Sequence, residues 1–303
     1  MKKHFNILVY ISLLFLCVVL YKADYLEIPH IKSFSLLSLS IVLVLLGFFV
    51  EAAIWTKTIN LYNYKVSLAN GIVSEGLSIF GKYIPGKIWT LLGRSAYIAK
   101  CYDYRESEML YISVVSQFIF LWASLLIGSL AFFFVDVPFV VVGLSALSFI
   151  GLTVIILNKS FNLFVSKMIS RVIKKDFNVP LLPFRTLLVL VPYYLLLWIL
   201  WGCGFWCLSQ SLTDFSVPIY AALIFPFAAT VGIIIVVLPG GIGARESILG
   251  TMLLSISVPE AVTISVASRL WFLIGEGFLF VTALILKNLK KRKSKSNEVT
   301  QCN

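Results

Sequence analysis

Leu238-Pro239-Gly240-Gly241-Ile242-Gly243-Ala244-Arg245-Glu246 decides how this chain folds. It closes an apolar run over residues 217–237 and precedes another apolar segment. Proline lacks the backbone donor that a helix interior needs, and each glycine there costs about 1 kcal/mol relative to alanine. Three glycines and a proline therefore predict a break over residues 238–246, with Arg245 and Glu246 opening the next helix. In hydrocarbon, broken backbone persists only where protein or a water-filled cavity satisfies it. Residues 247–257 span only about 17 Å as a helix at 1.5 Å per residue. That is too short for a hydrocarbon core of about 30 Å, so the glycine-rich loop itself is predicted to lie inside a membrane.

A second stretch has the same opening: Ile84-Pro85-Gly86-Lys87-Ile88-Trp89-Thr90-Leu91-Leu92-Gly93-Arg94. It belongs to an apolar segment, residues 66–92, interrupted by Gly71, Glu75, Gly76, Gly81 and Lys82. The pattern predicts a re-entrant pair of helices rather than a full span. Pro85 suits the first position of the second arm, whose N-terminus would carry partial positive charge alongside Lys82 and Lys87. Matching Pro/Gly interruptions in two parts of a membrane chain point to a midplane binding site. Two tight turns at the membrane surface are the alternative. Residues 94–105 read as a basic loop.

The rest of the composition agrees. The chain has 303 residues, 60% hydrophobic and 13% charged, with a mean hydropathy of +0.97. Soluble domains carry about 25% charged residues, so this is an all-α polytopic membrane protein. The net charge of +11 does not indicate nucleic acid, because Lys and Arg gather between apolar spans and in the tail. The five cysteines follow no metal, haem or disulfide spacing, and His4 and His30 lie in flanks. With no Ser/His/Asp set and no Walker loop, the chain is expected to be non-enzymatic, without cofactor or metal site. An integral-membrane transferase using the glutamates stays open.

Taken in order, spans are expected over residues 5–21, 34–55, 109–134, 139–157, 187–208, 217–237 and 261–286, with the intramembrane loop and the short helix over 247–257 together completing one more crossing. That makes about eight, plus the hairpin, in one integral membrane domain, 1–286. Residues 5–21 are too long for a signal-peptide core and lack a small-residue cleavage site. Glu51 reads as an interfacial residue beside Lys57. Within residues 159–185, Phe161, Phe164, Val165, Met168, Ile169 and Val172 follow a helical period with lysines off that face, as in an interfacial amphipathic helix. A solvated basic loop is the alternative. Residues 287–303 form a basic tail, expected to be disordered. With this count nearly all basic loops fall on one side, which places both termini in the cytoplasm of a bacterial inner membrane.

Ionisable residues at membrane depth cost at least about 2.5–3.5 kcal/mol each and imply function by default. They are Glu75, Lys82, Lys87, Arg245, Glu246, Arg269 and Glu276. Arg269 and Glu276 are two turns apart and share a helix face. Arg245 with Glu276, or Arg269 with Glu246, could simply neutralise each other. Basic residues outnumber acidic ones four to three in this set, and two helix N-termini add positive potential, so an anionic group such as a phosphate is the expected ligand.

The two motifs together resemble the membrane region of the lysylphosphatidylglycerol synthase family, the flippase-like half of the multiple peptide resistance factor. The residues that carry the resemblance are Pro239-Gly240-Gly241-Ile242-Gly243 with Arg245-Glu246, and Pro85-Gly86-Lys87 with Trp89 and Gly93-Arg94. It extends over essentially the whole chain in length and span order. The resemblance implies translocation of lipid, phosphatidylglycerol-type or otherwise anionic, between leaflets through a cavity lined by re-entrant elements. No aminoacyl-transferase domain accompanies these residues, so synthesis of a lysyl-lipid is not implied. Some members stand alone, and relatives occur beside lipid-linked glycan assembly. The expectation is therefore a flippase for an anionic phospholipid or polyprenyl-phosphate-linked lipid. Lys87, Arg94, Arg245 and Arg269 would hold the headgroup, and Glu246 and Glu276 would orient those cations or relay protons. Two other readings stay open, a transferase acting on a lipid-linked envelope precursor and a non-catalytic partner of an envelope glycosyltransferase. Self-association is also open.

Overall fold

A computed structural model describes residues 30–84, 88–158, 184–235, 243–258 and 260–300, together with Ser160, Leu163, Phe164, Lys167 and Gly241. The expected span over residues 5–21 lies outside the described residues. So do nearly all of the 159–185 connection, Pro85, Gly86, Lys87, Pro239 and Gly240.

The described residues form nine α-helices: α1 (Phe34–Leu61), α2 (Leu68–Ser78), α3 (Trp89–Tyr102), α4 (Glu106–Ser129), α5 (Phe139–Leu157), α6 (Phe184–Ser211), α7 (Ile224–Ile234), α8 (Ala244–Ser255) and α9 (Ala261–Thr300). Five of them, α1, α4, α5, α6 and α9, are long and apolar enough to cross a membrane. The eight expected spans are not all matched. Residues 217–237 hold a 3-10 turn, Ile219–Leu223, leading into the short α7, while residues 247–255 belong to the 12-residue α8, the short helix expected there. The 219–234 element does not reach spanning length.

Two other expectations are corrected. Residues 94–105 are not a loop, because α3 continues to Tyr102. Arg94, Ser95, Ile98 and Ala99 are its buried residues, at the spacing of one helix face. The charges of Arg94 and Lys100 had hidden that face. Residues 287–300 are helical rather than disordered. Lys, Leu and Arg are good helix formers, and lengthening an existing helix needs no new nucleus.

α1 and α6 pack antiparallel along their length. At one end the Lys32 and Ser33 amides donate to the Ser211 carbonyl at 2.8 and 3.3 Å. There the Lys32 ammonium also meets Asp214 at 2.7 Å. That hydrogen bond, with the carboxylate's charge, raises the lysine above its ordinary value. Buried tryptophans tie the other contacts through their indole N–H groups. Trp201 donates to Val44 O, Trp271 to Ser40 O, Trp198 to Phe120 O and Trp55 to Ser74 Oγ. Each bond satisfies a donor that would otherwise be costly in an apolar core.

α2 and α3 form an antiparallel hairpin whose two ends meet. The Ser67 amide and the Asn70 side chain both donate to Tyr102 Oη, at 2.9 and 2.7 Å. Nearby, Tyr64 donates to Glu108 at the start of α4. The hairpin therefore enters and leaves at the same end of the bundle. Its tip, the 3-10 turn Ile79–Tyr83 with the start of α3, points into the bundle. Gly76 permits close contact with α9: a Cβ there would lie 2.7 Å from the Leu279 carbonyl oxygen.

Candidate functional site

The second break is built on two glycines placed back to back. Gly241 has φ +69°, and a Cβ on it would stand 2.6 Å from the Gly232 carbonyl oxygen. Only glycine fits both the left-handed conformation and that approach. Gly243, with φ +85°, caps α8. Its amide donates to Glu246 Oε2 at 2.7 Å, so Glu246 satisfies the N-terminus of its own helix. The fold-back sets Arg245 beside Gly232.

Both breaks open onto one cavity of about 290 Å³, near the lower end for small-molecule sites, roughly 300–1,000 Å³. The first break contributes Lys82, Thr90 and Arg94 to its wall, and the second contributes Gly232 and Arg245. α9 adds Arg269 and Glu276, α2 adds Glu75, and α1 adds Glu51. Trp198, Trp201 and Phe272 supply much of the apolar lining. Six expected site residues thus share one hollow: Glu75, Lys82, Arg94, Arg245, Arg269 and Glu276. Glu246 is buried just behind it, 3.9 Å from Arg269 Nη1.

Each cation has a distinct environment. Arg94 is 4% exposed and engaged through every nitrogen. Nε and Nη2 donate to the Ser113 hydroxyl and carbonyl at 2.6 and 2.8 Å, and Nη1 donates to Glu75 Oε2 at 3.1 Å. The guanidinium also stacks 4.5 Å from the Trp55 ring centre. Arg94 is a three-helix tie. Lys82 Nζ lies 2.6 Å from Glu276 Oε1, while the other oxygen, Oε2, accepts from Tyr83 Oη at 2.8 Å. Arg269 lies over the Tyr83 ring and beside Glu246.

Arg245 is different. It is 5% exposed and lies 4.8 and 5.2 Å from the Phe225 and Phe272 ring centres. Nη2 donates to Ser268 O and Oγ at 3.1 and 3.2 Å, and Nε has no partner. Among the described residues no carboxylate comes within 4 Å of it. Of the two neutralising pairs considered from sequence, Arg269–Glu246 forms, whereas Glu276 takes Lys82 instead of Arg245.

Glu51 is the residue sequence reasoning misplaced. It lines the cavity and is not an interfacial partner of Lys57. Lys57 donates instead to Tyr193 Oη at 2.7 Å and sits over that ring. The sequence ends the span at Trp55, but α1 runs on to Leu61, which puts Glu51 about 15 Å from its end at 1.5 Å per residue. Trp55, 1% exposed, is core rather than interface. The usable signal was an acidic residue inside a long apolar run. With Glu51 and Arg94 included, the described charged groups number four of each sign: Lys82, Arg94, Arg245 and Arg269 against Glu51, Glu75, Glu246 and Glu276. The excess of cations expected from sequence counted Lys87, which lies outside the described residues.

No curated protein is significantly similar to the chain. Residues 6–290, nearly its whole length, match the family described as "Lysylphosphatidylglycerol synthase TM region". With apolar helices of spanning length surrounding two broken hairpins, the chain is a multi-pass membrane protein and belongs to the lysylphosphatidylglycerol synthase transmembrane-region family.

Proposed function

We propose that this protein moves an anionic lipid, a phospholipid or a polyprenyl-phosphate-linked intermediate, between the leaflets of a bacterial cytoplasmic membrane. The headgroup passes through the cavity between the two hairpin tips while the acyl or prenyl chains stay in the surrounding lipid. Arg245 carries the reading. A buried guanidinium without a carboxylate is costly unless an anion arrives to meet it. Its unpartnered Nε lies on a residue that lines the hollow. A phosphate is the group whose oxygens match a guanidinium fork. Lys82, with its side chain 30% exposed, lines the same cavity and faces the phosphate while keeping its pair with Glu276. Arg269 flanks them. Lys87 is assigned here on the sequence motif alone. Arg94, fully engaged, holds the hairpin in place.

The test is reconstitution of purified protein in liposomes containing a trace of fluorescent phosphatidylglycerol, with a membrane-impermeant quencher reporting the outer leaflet. Accelerated loss of the protected inner-leaflet signal, with no change in the lipid on thin-layer chromatography and with Arg245→Ala inactive, is the expected result. A new lipid product would instead favour a transferase. Neither signal in any lipid composition would leave the assembly-partner reading.

A further inference from the structure

The cavity holds a second group that the three ion pairs leave over. Arg94, Lys82 and Arg269 are matched by Glu75, Glu276 and Glu246. Arg245 is left as a cation and Glu51 as a carboxylate. Glu51 is partly buried, and among the described residues it has no ion-pair partner within 4 Å. The charged groups facing it are Glu75 on α2, Lys82 in the 3-10 turn, Arg94 on α3 and Glu276 on α9. From α6 it faces Tyr194 and the lining tryptophans, and from α4 the neutral Gln117. The two flanking cations are already committed to the two flanking carboxylates.

An anionic headgroup entering to meet Arg245 brings a second negative charge into the cavity that the unpaired Glu51 carboxylate already lines, in a space walled by aromatic rings where charges are weakly screened. The cheapest relief is a proton on Glu51, the only carboxylate among the described cavity residues that holds no cation. We infer that Glu51 takes up one proton when an anionic headgroup occupies the cavity and releases it when the headgroup leaves, so that lipid passage and proton movement are linked. The proton comes from water admitted to the cavity and returns to it, and no other group need change its charge. This inference rests on the lipid-transport reading. It adds a means by which a pH difference across the membrane would bias the direction of transport.

Linkage makes the idea measurable. If binding one anion brings one proton, affinity falls up to tenfold per pH unit above the titration of the carboxyl group, and the proton's affinity changes by the same factor on binding. The experiment titrates the purified full-length protein in detergent with short-chain, water-soluble phosphatidylglycerol between pH 5 and pH 9. A pH indicator in weakly buffered solution counts protons directly. Wild type is expected to bind about tenfold more weakly per unit of rising pH over part of this range, and to take up close to one proton per lipid bound there. Glu51→Gln, which mimics the protonated carboxyl, is expected to bind with little dependence on pH and to take up no proton. The proton count in wild type stands even if the variant fails to fold. Binding in wild type without proton uptake, or an unchanged pH slope in Glu51→Gln, overturns the coupling and leaves the anion cavity intact. Absence of binding at every pH overturns the transport reading and the inference together.

Discussion

Lys82 Nζ lies 2.6 Å from Glu276 Oε1, although one residue sits in a five-residue 3-10 turn and the other in the middle of the last helix. The pair joins the tip of the first hairpin to α9, and Tyr83 donates to the second oxygen of the same carboxylate. The two partners are unequally buried, 30% exposed for the lysine side chain and 1% for the glutamate. Their removal should therefore not be equivalent. Lys82→Met leaves the 1%-exposed Glu276 carboxylate without its cation and is expected to lower the melting temperature and to lower transport at least severalfold. Glu276→Ala leaves a 30%-exposed ammonium that can still reach water and a phenol without its acceptor, and is expected to lower the melting temperature less. Thermal unfolding in detergent beside the liposome assay separates the two effects.

Arg94 and Glu75 should behave as a structural pair. Breaking a buried ion pair from one side typically costs roughly 3–5 kcal/mol, because the remaining charge is left uncompensated. Arg94 also holds the Ser113 hydroxyl and carbonyl, so Arg94→Met is expected at or above that range. Glu75→Leu combined with Arg94→Met should recover much of the loss. A double-mutant cycle in thermal or denaturant unfolding checks this. Equal, additive losses would show that the pair contributes nothing.

The back-to-back glycines predict a backbone effect. Gly241→Ala meets the Gly232 carbonyl and must hold φ near +69°. The left-handed conformation alone costs an L-residue roughly 1–2 kcal/mol. The break should shift and carry Arg245 with it, since Gly232 and Arg245 are neighbours. Transport is expected to fall by an order of magnitude or more. Gly143→Ala on α5, where an added Cβ meets nothing within 4 Å, serves as the neutral control.

Much of this arrangement is written in local chemistry. Proline with glycine stops a helix wherever it lies, so both breaks and the long apolar helices α1, α4, α5, α6 and α9 follow from composition and periodicity. Long-range pairing does not. Nothing local tells Glu276 to choose Lys82 over Arg245, because that choice depends on where a hairpin tip 194 residues away comes to rest. Glu51 was misplaced for a related reason. A tryptophan followed by a lysine looks like a membrane boundary, and only the packing of Trp55 against Ser74 and Arg94 shows it to be interior. The motif marks Arg94 for the headgroup, but Ser113 and Glu75 occupy its donors.

The sharpest contrast lies between the two buried arginines. Arg94 has three partners and its loss should destabilise the protein. Among the described residues Arg245 has no carboxylate within 4 Å, and it has an unpartnered Nε and aromatic rings on either side. Replacing it with methionine removes an uncompensated charge and keeps most of the side-chain volume, and such exchanges are often neutral or stabilising. Arg245→Met is therefore expected to melt at the wild-type temperature or above while losing transport. Arg245→Lys, which keeps the charge but not the planar fork, should retain only a small fraction. A binding site is where a protein keeps a residue its fold would rather lose. If Arg245→Met instead unfolds the protein as Arg94→Met does, the arginine is a structural tie and the cavity loses its reason to bind an anion.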